Sequence, residues 1–413
     1  MNRGVSSLRT VLIYEPRVEG HHLVWLKFIA EDLLSAGWKL TLALDNRAES
    51  AERIHKRLGP LLESVSRLPV WDAPGRRVGG DGVQCVAACF SRARTELVFL
   101  NSFDEIASSV LRRAALGRLP PATLRGRMGG IYLRPRFLAG RGVSPNEWLK
   151  HFGFARLMRG GWLTHLLFLD PWIQADCQAR FPQTPAFCLP DPCPDDFVAD
   201  RQTARTEFEI PAGWQVLLFY GGPYRRKGLH LAVEALLGLS PKVPVFLLCA
   251  GQQENDSRLQ RGLQTLVQEG RARVIRRYIY EAEEKKLFAA SDIVLLPYLK
   301  HFGNSAVLSR AAGAGKMVIA SDEQLVGRLV REHRLGLLFP SGNPAALRRS
   351  IEQAAGATPE MLAQWQAAAL RYAAWSSRAE FRRVLLQSFE RAAAGAHNPS
   401  EPTRPSILRS AAK

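Results

Sequence analysis

Residues 217–234 read LLFYGGPYRRKGLHLAVE: an apolar run, a Gly-Gly turn, the cations Arg225, Arg226 and Lys227, then Gly228 and a second apolar-patterned run. That order predicts a buried strand, a tight turn and a helix that opens just past the cations. Such a turn, through Gly221 and Gly222, brings backbone amides and cationic side chains to one point, where a diphosphate binds. Taken alone, the segment has a plainer alternative, a solvated basic loop, which the pattern favours less.

It does not stand alone. Downstream, residues 290–321 read ASDIVLLPYLKHFGNSAVLSRAAGAGKMVIAS. Strand, small-residue loop, Gly-rich helix and strand follow one another, and the loop falls at the carboxyl end of a parallel strand, where α/β sheets bind ligands. The amides of Gly303, Asn304, Ser305 and Ala306 open that helix and can receive an anionic oxygen.

Outward from these two stretches, short apolar strands at 216–220, 245–250, 274–277, 293–296 and 317–320 alternate with helical segments. The first half repeats the pattern: a strand at 11–14, an amphipathic helix at 23–36 closed by Gly37, and strands at 40–44, 97–100, 130–133 and 166–169. Alternation of this kind builds parallel sheets flanked by helices. The chain of 413 residues, 46% of them hydrophobic, has material for two such cores. The expected division is an N-terminal Rossmann-like acceptor domain over 1–188, a proline-rich hinge over 189–197 and a C-terminal donor domain over 198–372. A single helix pattern runs from Pro359 to Ala394 with Thr358 as N-cap; its last part, 373–394, returns to the first domain, and 395–413 reads as a disordered tail.

The bulk composition sets the surroundings. Six cysteines with no CxxC pair point to a reducing compartment, and Cys85 and Cys89, four apart, read as neighbours on one packed helix face. The five-residue apolar stretch near the N-terminus is too short for a signal peptide, and no run approaches a membrane span, so a cytoplasmic protein is expected. A net charge of +18 points to phosphates, anionic lipid or nucleic acid as partners.

With both stretches in view, the chain resembles the family four retaining glycosyltransferases of GT-B fold, in which two Rossmann-like domains face each other across a cleft. The resemblance is strongest over 216–351 and includes the strand-to-RKG segment, the SDIVLLP run, the Phe302-Gly303 loop, the GKxVIAS strand and the closing LGLLF at 335–339. In the first half it rests on Gly20-His21-His22, where that family has a glycine-rich loop touching donor phosphate and acceptor. The resemblance implies a nucleotide-sugar donor held by Gly20, Gly221, Gly222, Gly228, Pro297, Tyr298, Phe302, Gly303, Asn304, Ser305, Ala306 and Arg310. Lys227 falls on the family's diphosphate-binding lysine, and its companion arginine falls on Gly222, a departure that Arg225 or Arg226 can fill.

The larger departure concerns the family's two glutamates, seven residues apart. Anchored on Phe302-Gly303 they fall on Lys300 and Leu308; anchored on Gly315-Lys316 they fall on Phe302 and Arg310, so neither register finds a carboxylate. His301, Asn304, Ser305 and Arg310 are then the residues left to hold the sugar. The growing charge on a leaving diphosphate falls to Lys227, Arg225 and Arg226, counted with His301 as the catalytic set; no metal and no other cofactor is expected. Same-face attack, as the resemblance implies, requires no enzyme nucleophile, and no Ser/His/Asp or paired-carboxylate constellation is found.

His21, His22, Asn101 and Arg134 are placed on the acceptor side, and Asp104 reads as a helix cap. Between 112 and 159 the cations Arg112, Arg113, Arg118, Arg125, Arg127, Arg134, Arg136, Arg141, Lys150, Arg156 and Arg159 face one acid, Glu147, with aromatic residues interleaved. This block suits peripheral contact with an anionic membrane at its inner face, or a polyprenyl-diphosphate acceptor. Three functions compete: transfer to a lipid-linked or polysaccharide acceptor, a catalytically silent sugar-nucleotide-binding module, and, more weakly, nucleic-acid binding, for which no recognised motif is present.

Overall fold

Apolar runs bounded by turn residues form the central strands of both halves of the computed structural model, which describes residues 9–19, 22–73, 75–140, 144–193 and 197–397. In chain order the strands are β1 (Thr10–Glu15), β2 (Lys39–Leu44), β3 (Ser66–Pro69), β4 (Trp71–Ala73), β5 (Arg76–Arg77), β6 (Leu97–Leu100), β7 (Met128–Tyr132), β8 (Leu163–Phe168) and β9 (Ala186–Cys188). The second half adds β10 (Gln215–Tyr220), β11 (Val245–Ala250), β12 (Ala272–Ile275), β13 (Ile293–Leu296), β14 (Met317–Ser321) and β15 (Gly336–Phe339). Two compact units result. One is the chain up to Leu189 together with the stretch from Arg382 onward, and the other is Pro190–Phe381.

The first unit carries a parallel sheet in the order β3-β2-β1-β6-β7-β8-β9, with β4 and β5 as a separate antiparallel hairpin. The second carries a parallel sheet in the order β12-β11-β10-β13-β14-β15. In each, chain order reverses beside the first strand, between β1 and β6 and between β10 and β13, and such switch points are where open parallel sheets bind ligands. Burial explains the strand choice: β6, β11, β13 and β14 are buried at every residue, as strands covered on both faces must be.

The structure moves several expected boundaries. The strand expected at 274–277 is Ala272–Ile275, because its pairing to β11 runs from Leu247 opposite Ala272 to Ala250 opposite Ile275. The single helix expected to end at Ala394 is two, Pro359–Trp375 and Arg378–His397. Ser376 O accepts from Cys193 N at 2.8 Å instead of continuing the helix. Ser377 Oγ then accepts from Glu380 N, so Ser377 and Glu380 mark a new helix start. Thr358 does cap, accepting from Met361 N. Residues 194–196 of the hinge, residues 398–413 of the tail, and Gly20, His21 and Arg141 lie outside the described residues.

Candidate functional site

The loops that follow β10 and β13 flank the switch point of the second unit, and they hold most of the residues singled out above. After β10, Gly221 and Gly222 lead to Tyr224, one turn of helix over Arg225–Lys227, Gly228, and the helix Leu229–Leu237. Gly228 has φ of 76°, and a methyl group there would stand 1.8 Å from Pro297 O, so only glycine lets the cationic turn press against the end of β13. Leu299 N then donates to Arg226 O at 2.8 Å, joining the two loops backbone to backbone.

Side chains complete the junction. The Lys227 ammonium lies 4.0 Å from the centre of the Tyr298 ring, within cation–π range. Arg226 donates to His301 Nδ1 at 2.7 Å. A guanidinium can only donate, so the His301 lone pair is at Nδ1 and its proton is on Nε2, which donates to Asn304 O at 3.1 Å. Both ring nitrogens are thus engaged in holding the loop. Tyr298 Oη and Ser305 Oγ are 2.9 Å apart, and Asn304 Oδ1 accepts from Ser305 N, so the approach to the helix Ala306–Gly313 is pinned from both sides.

Lys227, Arg226, Pro297, Tyr298, His301, Asn304 and Ser305 therefore meet at one place, as the reading of two separate motifs requires. Arg225 points elsewhere: it is exposed and pairs with Asp256 at 3.4 Å, beside a shallow cavity of about 600 Å³ lined by Pro223, Arg225 and residues 253–257. Arg310 is also drawn off. Its Nε lies 2.7 Å from Oε1 of the buried Glu284, and its NH1 donates to Ala306 O. Tyr220 borders the same pair, and burial with Glu284 beside it raises the phenol above its ordinary range. Burial likewise pushes the Asp191 carboxyl up to about 6, against the pull of Arg310.

A carboxylate does reach the loop, from the neighbouring strand end. Glu323, just past β14, accepts from Lys300 N at 3.4 Å, while Asp322 accepts from Ser341 N at 3.1 Å. Among the described residues no group of three or more His, Cys, Asp or Glu side chains is arranged to hold a metal ion.

The switch point of the first unit holds a feature that was not singled out from sequence. Glu15, the last residue of β1, is fully buried, and its Oε2 lies 2.7 Å from His22 Nδ1 and accepts from Asn101 Nδ2 at 2.6 Å. Its Oε1 accepts from Arg17 N at 2.9 Å. His22 opens the helix His22–Ser35, and Asn101 Nδ2 also donates to its carbonyl, so one carboxylate ties the ends of β1 and β6 together. A glutamate ending an apolar strand that is buried from Val11 onward, next to a histidine-bearing loop, was the available signal. Asn101 spends its Nδ2 on this network, while its buried Oδ1 has no hydrogen-bond partner among the described residues. Asp104 is not the cap it was read as: it is the first residue of the helix Asp104–Ala115, and its Oδ2 accepts from Leu133 N beyond β7. Burial raises its carboxyl above the usual range, opposed by Arg134 close by. Cys85 and Cys89 pack inside the helix Val83–Ala93 and are buried, as their spacing indicated.

Residues 200–371 match the family model "Glycosyl transferases group 1". No curated protein shows a significant sequence match to the chain. Among solved structures, a glycosyltransferase from Rickettsia africae ESF-5 aligns with a TM-score of 0.67 at 14% identity, covering 94% of this chain and 99% of that one. Sucrose-phosphate synthase from Thermosynechococcus elongatus aligns at 0.66 with 14% identity over 94% of this chain and 100% of its own. Anabaena HepE in complex with UDP aligns at 0.68 with 14% identity over 92% and 99%. Likeness at this level of identity establishes the fold: GT-B, two α/β units each built on a parallel sheet.

Proposed function

We propose that the chain is a glycosyltransferase that moves a sugar from a nucleotide-diphosphate donor to a lipid-linked or polysaccharide acceptor, with retention, at the cytoplasmic face of a membrane. The observation that carries this is the meeting of the Arg226-Lys227 turn with the loop from Tyr298 to Ser305 at the switch point of the second unit. The match of residues 200–371 to group 1 glycosyl transferases supports the reaction class, and the likeness to a protein solved with UDP and with UDP-glucose supports the donor class.

In this reading the diphosphate lies against Lys227 and Arg226, with the backbone amides at Gly303, Asn304 and Ala306 receiving its outer oxygens, the Ser305 amide being held by Asn304 Oδ1. As the bond to the anomeric carbon breaks, charge grows on the leaving oxygen and the fixed cations stabilise it; each well-placed group of this kind is worth about 10²–10³ in rate. A metal ion is not required for that role. Tyr298 holds the Lys227 ammonium over its ring face, and His301 fixes the loop between Arg226 and Asn304. The acceptor hydroxyl attacks from the face the diphosphate leaves, and the departing oxygen takes its proton.

Arg310, locked to Glu284, supports the helix rather than the sugar. The absence of carboxylates at Lys300, Leu308, Phe302 and Arg310 favours a second reading, a sugar-nucleotide-binding module without transfer. Incubation with UDP-, GDP-, ADP- and dTDP-sugars separates the two. Turnover of one donor, as transfer or slow hydrolysis that K227A abolishes, supports the transferase; tight binding of a donor with neither reaction supports the silent module.

A further inference from the structure

The helices Asp104–Ala115 and Pro145–Arg159 follow β6 and β7, adjacent parallel strands, so right-handed crossovers lay them side by side on one face of the sheet. Gly153 allows their contact: a methyl there would stand 1.8 Å from Leu111 O. Their outward residues therefore form one continuous surface.

That surface is unlike the rest of the first unit. Among its described residues the exposed large hydrophobic side chains are Leu116, Leu119, Trp148 and Phe152, with Leu116 71% and Trp148 65% exposed. Trp148 and Phe152 stack with ring centres 6.3 Å apart and planes 11° from parallel, presenting one flat apolar ridge. Arg156 and Arg159 continue the same helix face, and Arg112, Arg113 and Arg118 stand on the neighbouring helix and its exit, all exposed. Among the described residues none of these five arginines has a carboxylate partner; of the acids on the two helices, Glu147 is taken by Lys150 at 2.7 Å, Glu105 by Arg17 at 2.6 Å, and Asp104 accepts from Leu133 N.

We infer that this two-helix face docks on an anionic lipid bilayer, with Trp148, Phe152 and Leu116 entering the headgroup boundary and the arginines bonding lipid phosphates. Indole and aliphatic groups favour that boundary, and guanidinium groups pair with phosphate in forked geometry. No helix among the described residues is long and apolar enough to cross a membrane, so the contact is peripheral. Nucleic acid would use the arginines, but Leu116 and Leu119 have no flat face on which a base stacks. The purpose of the surface rests on the proposed lipid-linked acceptor; its binding to lipid does not, and is measured without any sugar.

The test is flotation of the full chain with vesicles of phosphatidylcholine alone and with about 30 mol% phosphatidylglycerol. Binding is expected only to the anionic vesicles, declining with salt. Brominated acyl chains are expected to quench tryptophan emission in the wild type but not in W148F. The variant W148E/F152E is expected to bind at least ~10-fold more weakly, and R112Q/R156Q about 20-fold more weakly, with melting temperature and UDP affinity unchanged in both. Equal binding to neutral and anionic vesicles overturns the inference, as does unchanged binding by W148E/F152E. So does displacement from vesicles by duplex DNA with no quenching at Trp148, which would identify a nucleic-acid surface instead.

Discussion

Replacing Gly228 by alanine tests whether the cationic turn is held in place by its approach to Pro297. The added methyl would lie 1.8 Å from Pro297 O on a backbone with φ of 76°. The left-handed conformation costs an L residue about 1–2 kcal/mol. Relieving the overlap means lifting the turn off β13, which breaks the bond from Leu299 N to Arg226 O, about 1 kcal/mol more. The sum, about 2–3 kcal/mol, lowers the melting temperature of a unit this size by about 4–12 °C. Lys227 leaves the Tyr298 ring with the turn, so UDP affinity falls by on the order of 10–100-fold, or about 1.4–2.7 kcal/mol. Thermal unfolding by circular dichroism and calorimetric titration with UDP, run well below the melting point, measure both. A lowered melting temperature with full UDP affinity would refute the placement of the diphosphate on this turn; no change in either would refute the close approach itself.

Three other perturbations follow from the same geometry. Glu284→Gln strips the half-buried Arg310 of its carboxylate and is expected to destabilise the second unit by about 1.5–3 kcal/mol, while E284Q/R310M recovers most of the loss; denaturant unfolding decides, and a harmless E284Q would contradict the pairing. His165 is buried between Phe99 and Phe389, and burial lowers its imidazole from 6.5 to about 3. The unfolded chain therefore takes up a proton below pH 6.5 that the folded chain refuses, so stability is full above that pH and falls as pH drops toward 3. Urea unfolding across that window is expected to show a shallower acid slope in H165Q, and equal slopes would contradict it. Gly153→Ala would push its methyl against Leu111 O and wedge the two helices apart, costing about 3 kcal/mol, read as a drop in the melting temperature of the first unit.

What could be read in advance follows from burial. Strands β6, β11 and β13 are buried on both faces, so their apolar runs stand out against polar turns. Edge strand β3, reading SRLP and half exposed, carries no such run, and β9 has three residues. The break at Ser376 was hidden because apolar periodicity continues through it with no glycine or proline. The signal was instead the spacing of Ser377 and Glu380, together with a tertiary bond to Cys193 that local sequence cannot show. The same limit applies at the sites. Lys227 and Tyr298 lie in recognisable motifs, but the capture of Arg310 by Glu284, the tie between Arg225 and Asp256, and the buried meeting of Glu15, His22 and Asn101 join residues far apart in the chain.

The most direct test of the donor site is UDP binding to R226A/K227A, compared with the wild type and with uridine as the ligand that lacks a diphosphate. The double variant is expected to bind UDP at least ~100-fold more weakly, close to its affinity for uridine, with its melting temperature lowered by only a few degrees as the contacts to His301 and Tyr298 are lost. Wild-type affinity for UDP in R226A/K227A would mean that the diphosphate sits elsewhere, and the assignment of this site would be wrong.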